Sequence, residues 1–123
     1  AAIGVCRDEA PAIAAALSTD GVAMGRTSHR LRNPANRSPA WAAPLLDRYA
    51  VGESADAATV ALDGGMTGYV EPIFVQPVCL ACHGDTLAPG VADALSRQYP
   101  DDAATGFATG DFRGLFWVTY PTP

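Results

Sequence analysis

Apolar residues recur at spacings of three and four over residues 3–18, where Ile3, Cys6, Ala10, Ile13 and Leu17 fall on one face. That period predicts a helix. The alanine run 14–16 supports it, and Asp8 and Glu9 sit near its start, where the helix dipole favours acids. A Ser-Thr-Asp-Gly turn at 18–21 leads to a short strand over 22–27, then to a polar stretch ending in Asn33-Pro34. Pro39 predicts the start of a second helix running to about residue 50, with Trp41, Leu45, Leu46 and Tyr49 on its buried side. Pro44 falls inside that span and predicts a short or kinked helix.

The second half of the chain is patterned differently. Residues 51–58 read as a polar connection, 59–62 as a strand, and Asp63-Gly64-Gly65 as a turn. Residues 67–75 read as a second strand, interrupted by Pro72. A third helix is expected over 91–99, with Val91, Leu95 and Tyr99 on one side, ended by Pro100-Asp101-Asp102. A loop punctuated by Gly110 and Gly114 leads to the clearest strand, 115–120, dense in aromatic and β-branched residues. This mixture predicts an α+β domain with an antiparallel sheet and flanking helices. The 123 residues, 49% hydrophobic, suit a single domain over 1–123.

One motif changes the picture. Cys79-Leu80-Ala81-Cys82-His83 has the C-x-x-C-H form of a c-type haem attachment site. Two thiols at this spacing reach the porphyrin edge and add across its vinyl groups as thioethers, and the adjoining imidazole is placed as the proximal iron ligand. The motif therefore predicts one covalent haem, held by Cys79 and Cys82 and ligated by His83. Two readings without haem compete with it: a Cys₃His zinc site from Cys6, Cys79, Cys82 and His83, and a Cys79–Cys82 redox disulfide.

Charge narrows the partners. The formal net charge is −5 and all eight basic residues are Arg. Nucleic acid and anionic membrane surfaces are poor partners for such a chain. Without lysine, no lysine can ligate iron or cross-link to a porphyrin. Arg26, Arg30 and Arg32 lie close together in sequence and suit the two haem propionates, or else form a solvated basic loop. No apolar run is long enough to span a bilayer, and the opening residues carry no signal-peptide pattern. Because c-type haem is attached outside the bacterial cytoplasm, the expectation is a periplasmic or otherwise extracytoplasmic protein, or an excised domain, whose targeting segment has been removed.

No Met, His, Cys or Lys follows His83, so a strong sixth ligand must come from upstream. The candidates are Cys6, Met24, His29 and Met66. Each has an ordinary alternative: Cys6 as a buried small hydrophobe, His29 as a surface imidazole, and both methionines as core residues.

Several segments carry a family resemblance. They are Cys6 with Ala10-Pro11-Ala12-Ile13, Gly25-Arg26-Thr27-Ser28, Leu31-Arg32-Asn33-Pro34-Ala35-Asn36, and Pro72-Ile73 before the haem motif and Gly84. Tyr99-Pro100-Asp101-Asp102-Ala103, Gly106-Phe107 and Gly110-Asp111-Phe112-Arg113-Gly114 follow in order. The chain resembles a family of bacterial extracytoplasmic c-type haem proteins, usually carried as a domain of unknown function, with cyanobacterial members proposed as redox sensors. The resemblance implies a PAS-like fold and a distal cysteine from the N-terminal helix. Cys6 holds the matching position, which makes His83 and Cys6 the implied axial pair, with His29 as the fallback.

Such a pair predicts a redox or gas sensor that works by ligand change at the iron, coupled to a signalling module or redox partner protein. The alternative is a low-potential electron-transfer cytochrome whose ligands never change. An enzymatic role, as a peroxidase or small-molecule reductase, needs an open iron and a distal acid or base, for which His29 is the available imidazole.

Overall fold

The computed structural model describes residues 2–123. A four-stranded antiparallel sheet, ordered β1-β4-β3-β2, organises them. Its strands are β1 (Ala23–Thr27), β2 (Ala58–Leu62), β3 (Met66–Phe74) and β4 (Phe112–Pro121). The helices are α1, made of Ala2–Gly4, Val5–Glu9 and Ala10–Leu17 in unbroken succession, then α2 (Ala43–Ala50), α3 (Leu80–His83) and α4 (Val91–Gln98). The α+β expectation holds, and each predicted element has a counterpart displaced by a few residues at most.

β2 and β3 form the expected hairpin, joined across Asp63–Gly65. β3 runs straight through Pro72, which pairs with Leu115 of β4. A proline is tolerated because β2 pairs only with residues 66–70, so its side of the sheet is open at Pro72. Pro44 likewise does not kink α2. The helix starts at Ala43 rather than at Pro39, which places Pro44 in its first turn, where a missing N–H costs nothing.

Two apolar clusters hold the fold together. Ala42, Leu46, Tyr49, Val70 and Leu115 pack α2 onto the sheet, with Trp41 and Trp117 at the margin. Trp41 lies so close over Gly68 that a Cβ there would come within 2.7 Å of the indole. The second cluster, Val75, Ala104 and Phe107, packs against Cys79 and Leu80 and so supports the C-x-x-C-H segment directly. Burying a side chain such as Phe107 stabilises by about 1.5–3 kcal/mol relative to leaving it in water.

α1 departs from the usual amphipathic helix. It lies against β1, but none of its described residues is buried. Ile13 and Leu17, on the apolar face read from the sequence, are 59% and 55% exposed. No helix among the described residues is long and apolar enough to cross a membrane.

Candidate functional site

The C-x-x-C-H residues sit at the end of the central hairpin. β3 leads into a tight turn at Pro77–Cys79 and then into the single helical turn Leu80–His83. That curl brings Cys79, Cys82 and His83 onto the wall of one cavity of about 290 Å³. Gly84 ends the helix. A Cβ at this position would fall 2.7 Å from the Leu80 carbonyl.

His83 is held in one tautomer. Its Nδ1 lies 2.7 Å from the Ala104 carbonyl, which can only accept, so Nδ1 carries the proton and Nε2 keeps a free lone pair. Burial pushes the imidazole pKa down to about 4, with Arg113 and Arg32 adding to the effect and the Ala104 hydrogen bond opposing it. At neutral pH the ring is an uncharged donor, the form that ligates a metal.

The surrounding segment is tightly laced. Gly106 and Phe107 donate their N–H groups to the carbonyls of Gly84 and His83, at 3.1 and 2.8 Å. From the other side, Arg30 donates to the carbonyls of Ala103 and Thr105, and Arg32 to those of Ala104 (3.2 Å) and Cys82 (2.5 Å). The Arg30 guanidinium also lies 4.2 Å over the Phe107 ring.

α1 lines the same cavity through Ile3 and Cys6. Cys6 falls within Val5–Glu9, which is wound as a π-helix. Such single-turn insertions are rare and occur often at functional sites. Cys6 is exposed, and its carbonyl accepts from Arg26 at 3.5 Å. Arg7, its neighbour in sequence, reaches away to Asp8 and Gln98.

The third wall is the sheet. Gly114 and Phe116 of β4 line the cavity, while Leu115 between them turns to the first core cluster. A Cβ on Gly114 would come within 2.2 Å of the Thr27 carbonyl, so β1 and β4 can approach here only around glycine. The β3–β4 register shifts at this point: Ile73 pairs with Gly114, but Phe74 pairs with Phe112. Arg113 is therefore the extra residue of a β-bulge, and the bulge re-aims its side chain into the cavity.

The cavity is cationic. Arg26, Arg32 and Arg113 line it, and no Asp or Glu does so among the described residues. Arg32 pairs with Asp102 at 3.2 Å, whereas Arg26 and Arg113 have no carboxylate within 4.0 Å among the described residues. Burial, followed by repulsion from Arg32 and Arg26, lowers the Arg113 pKa to about 10. Thr27 also lines the cavity, and its Oγ1 is buried with no hydrogen-bond partner among the described residues. Three cations, two of them without a carboxylate partner among the described residues, an unsatisfied hydroxyl, three thiols and a free imidazole lone pair together fit a dianionic metalloporphyrin.

The sequence candidates separate clearly. Cys6, Cys79, Cys82, His83, Arg26 and Arg32 line the same cavity. His29, Met24, Met66 and Arg30 do not. His29 stacks on Phe112 at 5.4 Å and meets Phe107 edge-on, while the guanidinium of Arg30 is taken up by backbone carbonyls. None of the three cysteines is in a disulfide, and no three His, Cys, Asp or Glu side chains are grouped to hold a metal ion among the described residues. Thr27, Tyr99 and Arg113 also line the cavity without having been site candidates, although all three stand in segments that carry the family resemblance.

The family model described as Tll0287-like matches residues 5–121. The chain belongs to the Tll0287-like family. The crystal structure of the cyanobacterial heme-protein Tll0287 is similar at 31% identity, with a TM-score of 0.75, over 98% of this chain and 72% of that one. No curated protein sequence matches the chain. The resemblance to a family with cyanobacterial haem proteins is thus borne out, and the Tll0287-like chain described here places six of its expected site residues around one cavity.

Proposed function

We propose that this chain is a c-type haem protein that senses redox state or a small gas through a change of axial ligand. In this reading Cys79 and Cys82 carry one haem as thioethers, His83 Nε2 is the proximal ligand and Cys6 Sγ the distal one. The observation that carries it is the meeting of His83 and Cys6 on the walls of one cavity, which neither His29 nor either methionine lines. The similarity to a cyanobacterial heme-protein supports the choice of cofactor. Arg26, Arg32 and Arg113 are the cations placed for the propionates, with Arg113 taking the role that the sequence suggested for Arg30.

Haem would supply an iron that exchanges one electron and whose affinity for thiolate falls on reduction. The chain's own residues do the rest. His83 stays in place, because Nδ1–H is fixed to Ala104 and the ring is packed beside Phe107. Cys6 Sγ would hold the distal position while the iron is ferric, and after one-electron reduction by a redox partner protein Cys6 would be the side that takes a proton from solvent and yields to a neutral diatomic ligand. α1 is free to respond because none of its described residues is buried. We read the sheet and its flanking helices as a PAS-like sensor domain, maturing outside the bacterial cytoplasm and passing the movement of α1 to a signalling module.

Electron paramagnetic resonance and visible spectra of the ferric protein and of Cys6→Ala test the assignment. A low-spin thiolate-type signal that disappears in Cys6→Ala supports it, and an unchanged signal overturns it. Ligands that stay the same in ferric and ferrous protein would instead make the chain a low-potential electron carrier.

A further inference from the structure

The haem reading assigns a ligand to each side of the iron and a propionate to Arg32, but it leaves the ion-pair partner of Arg32, the largely buried Asp102, without a role. Arg32 and Asp102 meet at 3.2 Å, and their side chains are only 13% and 11% exposed. An ion pair so shielded is a poor source of stability, because desolvation offsets much of the attraction. Its position is more informative than its strength. Arg32 Nη2 donates to the Ala104 carbonyl, the same oxygen that accepts from His83 Nδ1. Asp102 Oδ1 accepts both from Arg32 Nε and from the Ala104 N–H, at 3.2 and 2.8 Å. Both faces of the residue that orients the proximal histidine are thus controlled by one charged pair.

We infer that the Arg32–Asp102 pair tunes the proximal ligand by setting the acceptor strength of the Ala104 carbonyl. This inference rests on the assignment of His83 as the proximal ligand. A carbonyl has two lone pairs, and a guanidinium on one of them withdraws density from the other. His83 Nδ1–H then meets a weaker acceptor, the imidazole keeps less anionic character, and ferric iron is less favoured. Asp102 offsets part of the Arg32 charge and so moderates the effect. Partners in the outer shell of a metal-ligating histidine act on ligand basicity in this way. In this effect Arg32 and Asp102 are positioning residues, acting through Ala104 and His83, apart from any propionate contact of Arg32 at the cavity wall.

Removing either partner must therefore move the reduction potential in opposite directions. Arg32→Gln restores the carbonyl's acceptor strength and lowers the potential. Asp102→Asn keeps an Oδ1 for the Ala104 N–H but leaves Arg32 uncompensated, and raises it. Arg32→Lys, which returns the charge, moves the potential back toward that of the unaltered protein. A role confined to packing gives shifts of the same sign, or none.

The experiment is spectroelectrochemical titration of the haem-loaded variants, with proton resonance of His83 Nδ1–H in the ferrous carbon monoxide complex, which is low-spin and diamagnetic. Opposite shifts in potential, with the Nδ1–H resonance moving downfield in Arg32→Gln and upfield in Asp102→Asn, support the inference. Shifts of one sign, no shift, or an unmoved Nδ1–H resonance overturn it. Should Arg32→Gln fail to accumulate, Asp102→Asn decides by itself: a raised potential supports, an unchanged or lowered one overturns. Failure of the haem reading is separately visible, as a chain without covalent haem or a proton resonance unaffected by the iron.

Discussion

On the His83 side of the cavity, residues 103–107 are tied down from two directions. Gly84 and His83 accept from their N–H groups on one side, and Arg30 and Arg32 donate to their carbonyls on the other. Phe107 closes this side at 3% exposure. On the Cys6 side, a helix with no buried residue among those described is held by Arg7 to Gln98, by Arg26 to the Cys6 carbonyl and by its lie along β1. The two sides of one site thus differ in how much free energy opposes their displacement. Local opening follows that difference: segments with few buried contacts open first. In the proposed reading, the ligand borne on the compliant side is the one that leaves and the ligand on the laced side is the one that stays.

The largest effect expected is chemical. Cys79→Ser with Cys82→Ser should abolish covalent haem, read as complete loss of haem staining on a denaturing gel. If haem staining survives, the attachment site is elsewhere and the comparison of the two sides loses its reference point.

Stability should divide along the same line. Phe107→Ala removes a side chain at 3% exposure and is expected to cost about 3–5 kcal/mol. Ile13→Ala, at 59% exposure on α1, should stay within about 0.5 kcal/mol. Denaturant unfolding of the two variants checks this, and equal losses would mean that α1 is no looser than the His83 side.

A pH effect is expected in the haem-free double serine variant. The His83 pKa in the folded chain, about 4, lies below the ordinary 6.5, so the folded state favours the neutral ring. Its contribution is fully present above pH 6.5 and is lost as pH falls toward and through 4. The unfolding midpoint should fall over that window, and should fall less in His83→Gln. Hydrogen exchange gives the smallest and most direct measure. Amides of α1 should exchange faster than those of Gly106 and Phe107, and reduction of the haem-loaded protein should widen the gap.

Much of this was readable along the chain. Cys79, Cys82 and His83, which line one cavity, stood out by spacing, because two thioether links and a proximal ligand would need residues next to one another on one helical turn. The strands and helices followed from periodicity, since period two and period 3.6 are local properties. Cys6 as distal ligand rested on family resemblance, because nothing local in an apolar helix marks a cysteine for iron.

The destinations of the arginines were not readable. Arg26, Arg30 and Arg32 form one cluster in sequence, yet Arg26 and Arg32 face the cavity while Arg30 binds the carbonyls of Ala103 and Thr105. Arg113, far from that cluster, reaches the cavity because a one-residue register shift between β3 and β4 turns it inward. The π-wound turn at Val5–Glu9, which bears Cys6, has no sequence signature either. The sequence by itself determined the elements and the C-x-x-C-H spacing on which the proposed attachment rests, both of which depend on residues near one another in the chain. Only the tertiary structure decided which cations face the cavity and which wall can move. Those depend on register, on backbone carbonyls some seventy residues away and on burial, which exist only once the sheet has formed.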